Sequence, residues 1–385
     1  MKRSDAAIAI LWGLLSSLAI VPGAQGAMPS GPIGGDFATL AAPWVAQSSP
    51  GLSDAQQEQV DELLRQGQDL VEAKDYAGAI TIYQQAATID TQNPRLFSGI
   101  GYLYTQQENY GEAIAAYRLA IDLDEDNLAF RYGLAHSEYQ AGQLDAAIDT
   151  YRGILETNPR EINAYLGLGS IYLELGNYDE ALSSYQSLTR IAPGNAQAYE
   201  ALAALYIQQE DYDQALTYLN RGLQATPNNS DLHVSVANIY LLQSDYDRAK
   251  ENLREALRLD ARNPQAQYQM GYVLFQEGDR EAAFDYLLRS VRLDPDLVAA
   301  HALLGELLLE REQYLQAVLS YRKVTDALPD DPAAFYNLGL ALHGQGLEAQ
   351  ALSNLELAAI LYSRQGNTEG AERARELMAF WGYEP

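Results

Sequence analysis

From about residue 60 onward, apolar residues recur at i, i+3, i+4 and i+7 in short stretches. Breaks alternate between segments of the "QGN" or "QQED" kind and segments of the "P-x-N" kind. The period is that of a helix, not the period of two of a half-buried strand. The pattern therefore predicts pairs of short antiparallel helices along most of the chain. Helices of this length are marginal in isolation, below about 12–15 residues. They gain stability by stacking on their neighbours in an array.

The pairs keep a fixed register. The phrase "NYDEALSSY" at 177–185 reappears as "DYAGAITIY" from 75, "NYGEAIAAY" from 109, "DYDQALTYL" from 211 and "DYDRAKENL" from 245. Its alanine recurs every 34 residues as Ala79, Ala113, Ala147, Ala181, Ala215, Ala249, Ala283, Ala317 and Ala351. Twelve residues before each alanine stands a second small residue: Gly67, Gly101, Ala135, Gly169, Ala203, Ala237, Gly271, Gly305 and Gly339. Two columns restricted to minimal side chains mark points where helix backbones approach closely. Four residues after the alanine every repeat has Tyr or Leu, and three before it six repeats have Tyr. Seventeen of the 27 tyrosines fall in such recurring columns, so the tyrosine richness is mostly a packing feature. Ser53 and Gln56 have the spacing of a capping box and start the first helix.

Small, Tyr, Ala, Tyr and Pro at period 34 resemble the tetratricopeptide repeat, in nine units over residues 60–365. The family's late proline is present as Pro159, Pro193, Pro227, Pro295 and Pro329, and is replaced by Thr91, Glu125, Ala261 and Ser363 elsewhere. The resemblance implies an all-α, right-handed superhelical α-solenoid of nine helix-turn-helix repeats. Residues 366–385 then form a C-terminal capping helix, with Phe380 and Trp381 expected to dock on the ninth repeat. The resemblance also implies a concave groove, lined by the first helix of each pair, that binds protein clients. Carried over column by column, that groove includes Tyr102, Tyr132, His136, Tyr139, Asn238, Tyr268, Tyr272, Phe275 and Tyr336. Leu173, Glu174, Ile207, Leu241 and Leu309 fall in the same columns. Two uses remain open for each groove aromatic: contact with a client, or packing against the adjacent repeat. Members of the family that clamp a chaperone's C-terminal carboxylate use Lys and Asn on this face. Here Arg95 is nearly the only base in those columns, and Asn238 is accompanied by Val234 where Lys would be needed, so no carboxylate clamp is expected.

Ahead of the repeats, Lys2 and Arg3 precede an apolar run from Ala6 to Val21, then Pro22 and the small residues Ala24-Gln25-Gly26. These are the parts of a cleaved secretory signal over residues 1–26; the apolar run is short for a membrane span of ~20 residues, and an uncleaved anchor is the alternative. Residues 27–52, rich in Pro, Gly, Ser and Ala, read as a flexible linker with Trp44 as a lone contact. The layout predicts export to a periplasm or thylakoid lumen without integral membrane insertion after cleavage. The net charge of −27 disfavours nucleic acid and favours basic or apolar client segments. With no cysteine, the chain can build neither disulfides nor thiolate metal sites.

Candidates for chemistry are few. "DLDEDN" at 122–127 imitates the start of a calcium loop but has Asn127 and Gly133 where Gly and Glu are required, so a turn is expected. Glu306 and Glu310 lie one helical turn apart, and His343 falls in a neighbouring column; together they are the one grouping suited to weak Mn²⁺ or Ca²⁺. The commoner outcome for such residues is two solvated carboxylates beside a polar histidine. His233 and His301 occupy a column expected to pack inside the repeat. No nucleophile elbow, phosphate loop, "HExxH" or dinucleotide motif is present, and catalysis is not expected. The expected function is that of an exported scaffold or assembly factor. In layout the chain is similar to exported cyanobacterial tetratricopeptide factors of photosystem II biogenesis, which implies a photosystem precursor as client. The alternatives are an envelope or polysaccharide-secretion scaffold and an acidic Mn/Ca carrier.

Overall fold

The computed structural model describes residues 48–382. The expected signal 1–26 and linker residues 27–47, Trp44 included, lie outside the described residues. Among the described residues the regular structure is nineteen α-helices and no strand. These residues fall into two compact units, one ending at Leu205 and the other beginning at Tyr206.

The first unit contains α1 (Asp54–Glu72), α2 (Tyr76–Ile89), α3 (Pro94–Gln106), α4 (Tyr110–Leu123), α5 (Leu128–Gln140), α6 (Leu144–Thr157), α7 (Ile162–Glu174) and α8 (Tyr178–Ile191). The boundary falls within α9 (Ala196–Gln208). The second unit contains α10 (Tyr212–Ala225), α11 (Ser230–Leu242), α12 (Tyr246–Leu259), α13 (Pro264–Gln276), α14 (Arg280–Leu293), α15 (Val298–Glu310), α16 (Tyr314–Ala327), α17 (Pro332–Gly344), α18 (Glu348–Arg364) and α19 (Thr368–Phe380). Helices α1 to α18 form the nine pairs, odd numbers first, and α19 follows the ninth.

The repeated phrase opens on a residue with two tasks. In the first pair, Lys74 N–H donates to Val71 O at 2.9 Å and Asp75 N–H to Leu70 O at 2.8 Å, the two bonds of a Schellman ending. Asp75 then caps α2, its Oδ1 accepting from Gly78 N–H at 3.0 Å. Asp211, Asp245 and Asp279 cap α10, α12 and α14 in the same way. One residue therefore ends the first helix of the pair and starts the second. The turn requires a left-handed residue just before it. Gly142, Gly176, Gly278 and Gly346 take φ of +72° to +86° there, but Lys74, Glu108, Glu210, Ser244 and Glu312 are forced to +56° to +60°.

The alanine column is the tightest point of each pair: all nine alanines have no exposed surface. The small column faces the Tyr or Leu four residues beyond that alanine. A Cβ built on Gly67, Gly169 or Gly305 would stand 2.3–2.8 Å from the ring of Tyr83, Tyr185 or Tyr321 respectively. Gly133 and Gly167 were not singled out by the period, yet they receive the far edges of the preceding rings, Tyr117 and Tyr151, at 2.4 and 2.6 Å on the same measure. Tyr117, which also packs over Gly101, is thus wedged between its own first helix and the next.

At the start of the described chain, Ser49 N–H donates to Asp90 Oδ2 at 2.9 Å, which also accepts from Asn93 Nδ2 at 2.9 Å. The last residues before α1 are thereby tied to the α2–α3 turn. At the other end, α19 buries Gly370, Ala371, Ala374 and Met378. Trp381 docks as expected, its ring stacked on His343 with centroids 3.7 Å apart and planes 8° apart. Phe380 does not dock: it is 85% exposed. It lies two residues, about 200° of helix, beyond Met378, so the buried stripe leaves it facing water.

Candidate functional site

In the first unit the predicted groove residues lie on α3 and α5. Tyr102 on α3 is half-buried, and burial pushes its hydroxyl pKa up. Tyr132 on α5 is only 4% exposed. Its hydroxyl donates to Glu161 Oε2 at 3.1 Å, and its ring lies tilted against Tyr151 with centroids 6.2 Å apart. Tyr132 is therefore a packing residue. One turn further on, His136 is half-buried and burial lowers its pKa. Tyr139 is half-buried, and its hydroxyl donates to Glu174 Oε2 on α7 at 2.8 Å. That bond joins neighbouring first helices and places Tyr139 and Glu174 on one face. Burial, reinforced by the Glu174 carboxylate, raises the Tyr139 pKa.

In the second unit, Asn238 on α11 and Tyr268 and Tyr272 on α13 are buried. Tyr268 belongs to the core containing Leu304, Leu308 and Tyr321, and Tyr272 to the core containing Ala249, Leu253 and Val273. For these residues the packing alternative holds. Phe275 and Tyr336 stay half-buried. Phe275 carries a guanidinium on its face: Arg280 Cζ lies 3.7 Å from the ring centroid, and Arg280 Nη1 donates to Phe275 O at 3.1 Å. Arg280 Nε also lies 3.7 Å from Glu310 Oε2.

The metal grouping suggested by Glu306, Glu310 and His343 is not formed. Glu310 faces Arg280, and the His343 ring is stacked on Trp381. Among the described residues no three His, Asp or Glu side chains come together to hold an ion. The spacing placed the carboxylates correctly on one helix but could not show that the imidazole is engaged by the capping helix. His233 and His301 are half-buried, not enclosed: His233 Nδ1 lies 3.5 Å from Asn252 Oδ1, and His301 Nε2 lies 3.0 Å from Pro295 O. The calcium-like segment is the expected turn, with Asp124 ending α4, Asn127 preceding α5, and Asn127 Nδ2 donating to Asp124 Oδ2 at 3.0 Å. Among the described residues no helix is long and apolar enough to cross a membrane.

Tandem helical pairs joined by one recurring turn, with polar and aromatic side chains left on the first helices, define an all-α repeat protein of the solenoid class. The chain belongs to the tetratricopeptide repeat family: profiles of that repeat match residues 64–127, 132–196, 172–239, 237–278, 264–297 and 305–346. A "TPR repeat-containing protein" of Picosynechococcus sp. is 41% identical over 80 residues, which is 21% of this chain and 21% of that protein. The chain thus matches about a fifth of the length of that curated relative. Among solved structures, the Cut9–Hcn1 hetero-tetramer of the APC/C is similar at a TM-score of 0.50 and 14% identity, covering 96% of this chain and 76% of that one. A tetratricopeptide repeat protein from Parabacteroides merdae is 18% identical at a TM-score of 0.46, covering 65% of this chain and 99% of that one. At these identities the likeness concerns the fold alone. Tetratricopeptide repeat proteins bind protein or peptide partners, and members of the family are typically non-catalytic scaffolds.

Proposed function

We propose that this chain is an exported, non-catalytic scaffold or assembly factor whose first helices hold apolar or basic segments of client proteins. The observation that carries the reading is a division of labour between helices. The alanine and Tyr/Leu columns of the second helices are consumed by packing. The first helices keep Tyr102, His136, Tyr139, Phe275 and Tyr336 half-buried, with Glu174, Glu306 and Glu310 nearby in the same register columns. Amphipathic rings beside carboxylates suit apolar and cationic groups and disfavour acidic ones. The net charge of −27 speeds encounter with basic clients over a longer range.

The finer reading is export through the 1–26 segment and work in photosystem II biogenesis, on precursor subunits of that complex. Its support is the layout, a signal followed by an acidic array of nine repeats, as in exported cyanobacterial members of the family. The test begins with fractionation and N-terminal sequencing of the native protein, which should begin at Ala27 in the periplasmic or lumenal fraction. Affinity capture with that form as bait should then enrich photosystem precursors. Enrichment of outer-membrane secretion machinery in their place would favour an envelope scaffold and overturn the photosystem reading.

A further inference from the structure

The register position just after the small column has a special neighbour. In the fourth repeat it is Ser170, whose Oγ lies 3.4 Å from the hydroxyl of Tyr185, the ring packed over Gly169. In this repeat the tyrosine that crosses the small column thus delivers its hydroxyl to the next residue of the first helix. In the eighth repeat Tyr321 is packed over Gly305 in the same way and Glu306 follows that glycine; burial, with the Glu306 carboxylate adding to it, raises the Tyr321 pKa. Tyr321 is 2% exposed, and its hydroxyl has no hydrogen-bond partner among the described residues. An enclosed hydroxyl left unpaired is costly unless a further group completes its bonding.

Glu306 is equally incomplete. It is exposed to solvent, yet enough protein surrounds the carboxyl for desolvation to raise its pKa; Arg280 lowers it in part, and Glu310 raises it again. It makes no hydrogen bond or ion pair among the described residues. The nearby base is already committed, because Arg280 stacks on Phe275 and leans on Glu310. That arrangement shows how the protein seats a guanidinium, with an aromatic face beneath and a carboxylate at its edge. Arg311 repeats it, with Cζ 3.7 Å over the Phe284 ring and Nη2 2.6 Å from Glu281 Oε2.

We infer that Glu306, with Glu310 beside it and the Tyr321 hydroxyl behind it, is a subsite for one cationic side chain, Lys or Arg, of a client segment lying along the first helices of the second unit. The inference rests on the first-helix binding proposed above and specifies the chemistry of one anchor. Both Glu306 oxygens accept and neither has a donor, so a side chain with several N–H groups matches the subsite. An acidic or neutral side chain leaves the carboxylate uncompensated. Charge complementarity with a chain of net charge −27 points the same way.

The test is a selection from a random dodecapeptide display library against the full chain. It is run beside Glu306→Gln, a near-isosteric change at an exposed position, and Tyr321→Phe. The wild type should enrich peptides with Lys or Arg at fixed spacing from apolar residues. By fluorescence anisotropy a selected peptide should bind about fivefold more tightly than its counterpart with Gln in place of the base. Glu306→Gln should abolish that ratio while retaining affinity for the Gln counterpart. Tyr321→Phe should reduce the ratio with no loss of melting temperature, since it removes only the unpaired hydroxyl. Enriched peptides without a base, or a ratio that survives Glu306→Gln, overturn the subsite and leave first-helix binding standing. Failure to enrich any peptide overturns both. Calorimetric binding of Mn²⁺ to the wild type and not to Glu306→Gln, with loss of the peptide ratio in Mn²⁺, overturns the subsite in favour of a metal.

Discussion

Alanine substitution should have opposite effects at two glycines of the same register column. At Gly169 a new Cβ would stand 2.4, 2.6 and 2.8 Å from three atoms of the Tyr185 ring. That ring is 3% exposed, and its hydroxyl lies 3.4 Å from Ser170 Oγ, so it has no free direction in which to withdraw. Overpacking of this kind costs about 1–3 kcal/mol. The better helix propensity of alanine offsets at most ~1 kcal/mol, leaving a net loss of roughly 1–2 kcal/mol. At Gly271 the new Cβ would meet Leu287 Cγ at 2.8 Å. The sixth repeat already has Ala237 opposite Leu253, both without exposed surface, so a branched aliphatic side chain can yield there. A ring yields only with space on its far side: the third repeat has Ala135 opposite Tyr151, but that ring has Gly167 beyond it, where Ala201 stands in the register of Tyr185. The propensity gain then dominates, and Gly271→Ala should be neutral or stabilising by up to ~1 kcal/mol. Repeat arrays need not unfold in one step. Urea titration followed by circular dichroism should therefore be read together with hydrogen exchange in α7–α8 for the first variant and α13–α14 for the second. Equal destabilisation by the two variants would refute the argument that ring rigidity sets this column.

Other consequences are equally direct. Glu312 sits at φ +56° in a position where four repeats have Gly, so Glu312→Gly should stabilise by about 1 kcal/mol and Gly278→Ala should cost about as much, both read as shifts in urea midpoint. Burial lowers the pKa of His136 and of His301 below the ordinary 6.5, so the unfolded chain takes up protons first as pH falls. Their contribution is present above pH 6.5 and is lost below it; His136→Gln should show a smaller drop in urea midpoint between pH 7.5 and 5.5 than the wild type. Trp381→Ala removes the stack on His343 and should speed amide exchange in α19 while leaving α13–α14 unchanged.

The repeat register was legible because it answers to local chemistry. A 34-residue spacing of alanines and the second small column act within one pair, and the structure uses them as that pattern predicts. What the period does not encode is the rotation between neighbouring pairs. Tyr268 and Tyr272 fall in columns that look available for a client, yet packing against the adjacent repeats buries both. The His343–Trp381 stack joins the ninth repeat to a residue beyond the array, and Phe380, the sequence neighbour of Trp381, points to solvent. Both depend on where α19 ends. Among the predicted groove residues, those that remain half-buried are the ones a variant can probe without damaging the core. A Tyr268→Ala/Tyr272→Ala pair would remove two buried rings, at about 3–5 kcal/mol for each large aromatic.

Site-specific photo-crosslinking decides whether clients lie on the first helices. A benzophenone amino acid would be placed at Tyr139 or Tyr336 on first helices, and at Leu319, exposed on the second helix α16. One discrete client adduct is expected from positions 139 and 336 and none from 319. A client adduct formed at 319 and absent from both first-helix positions would contradict first-helix binding.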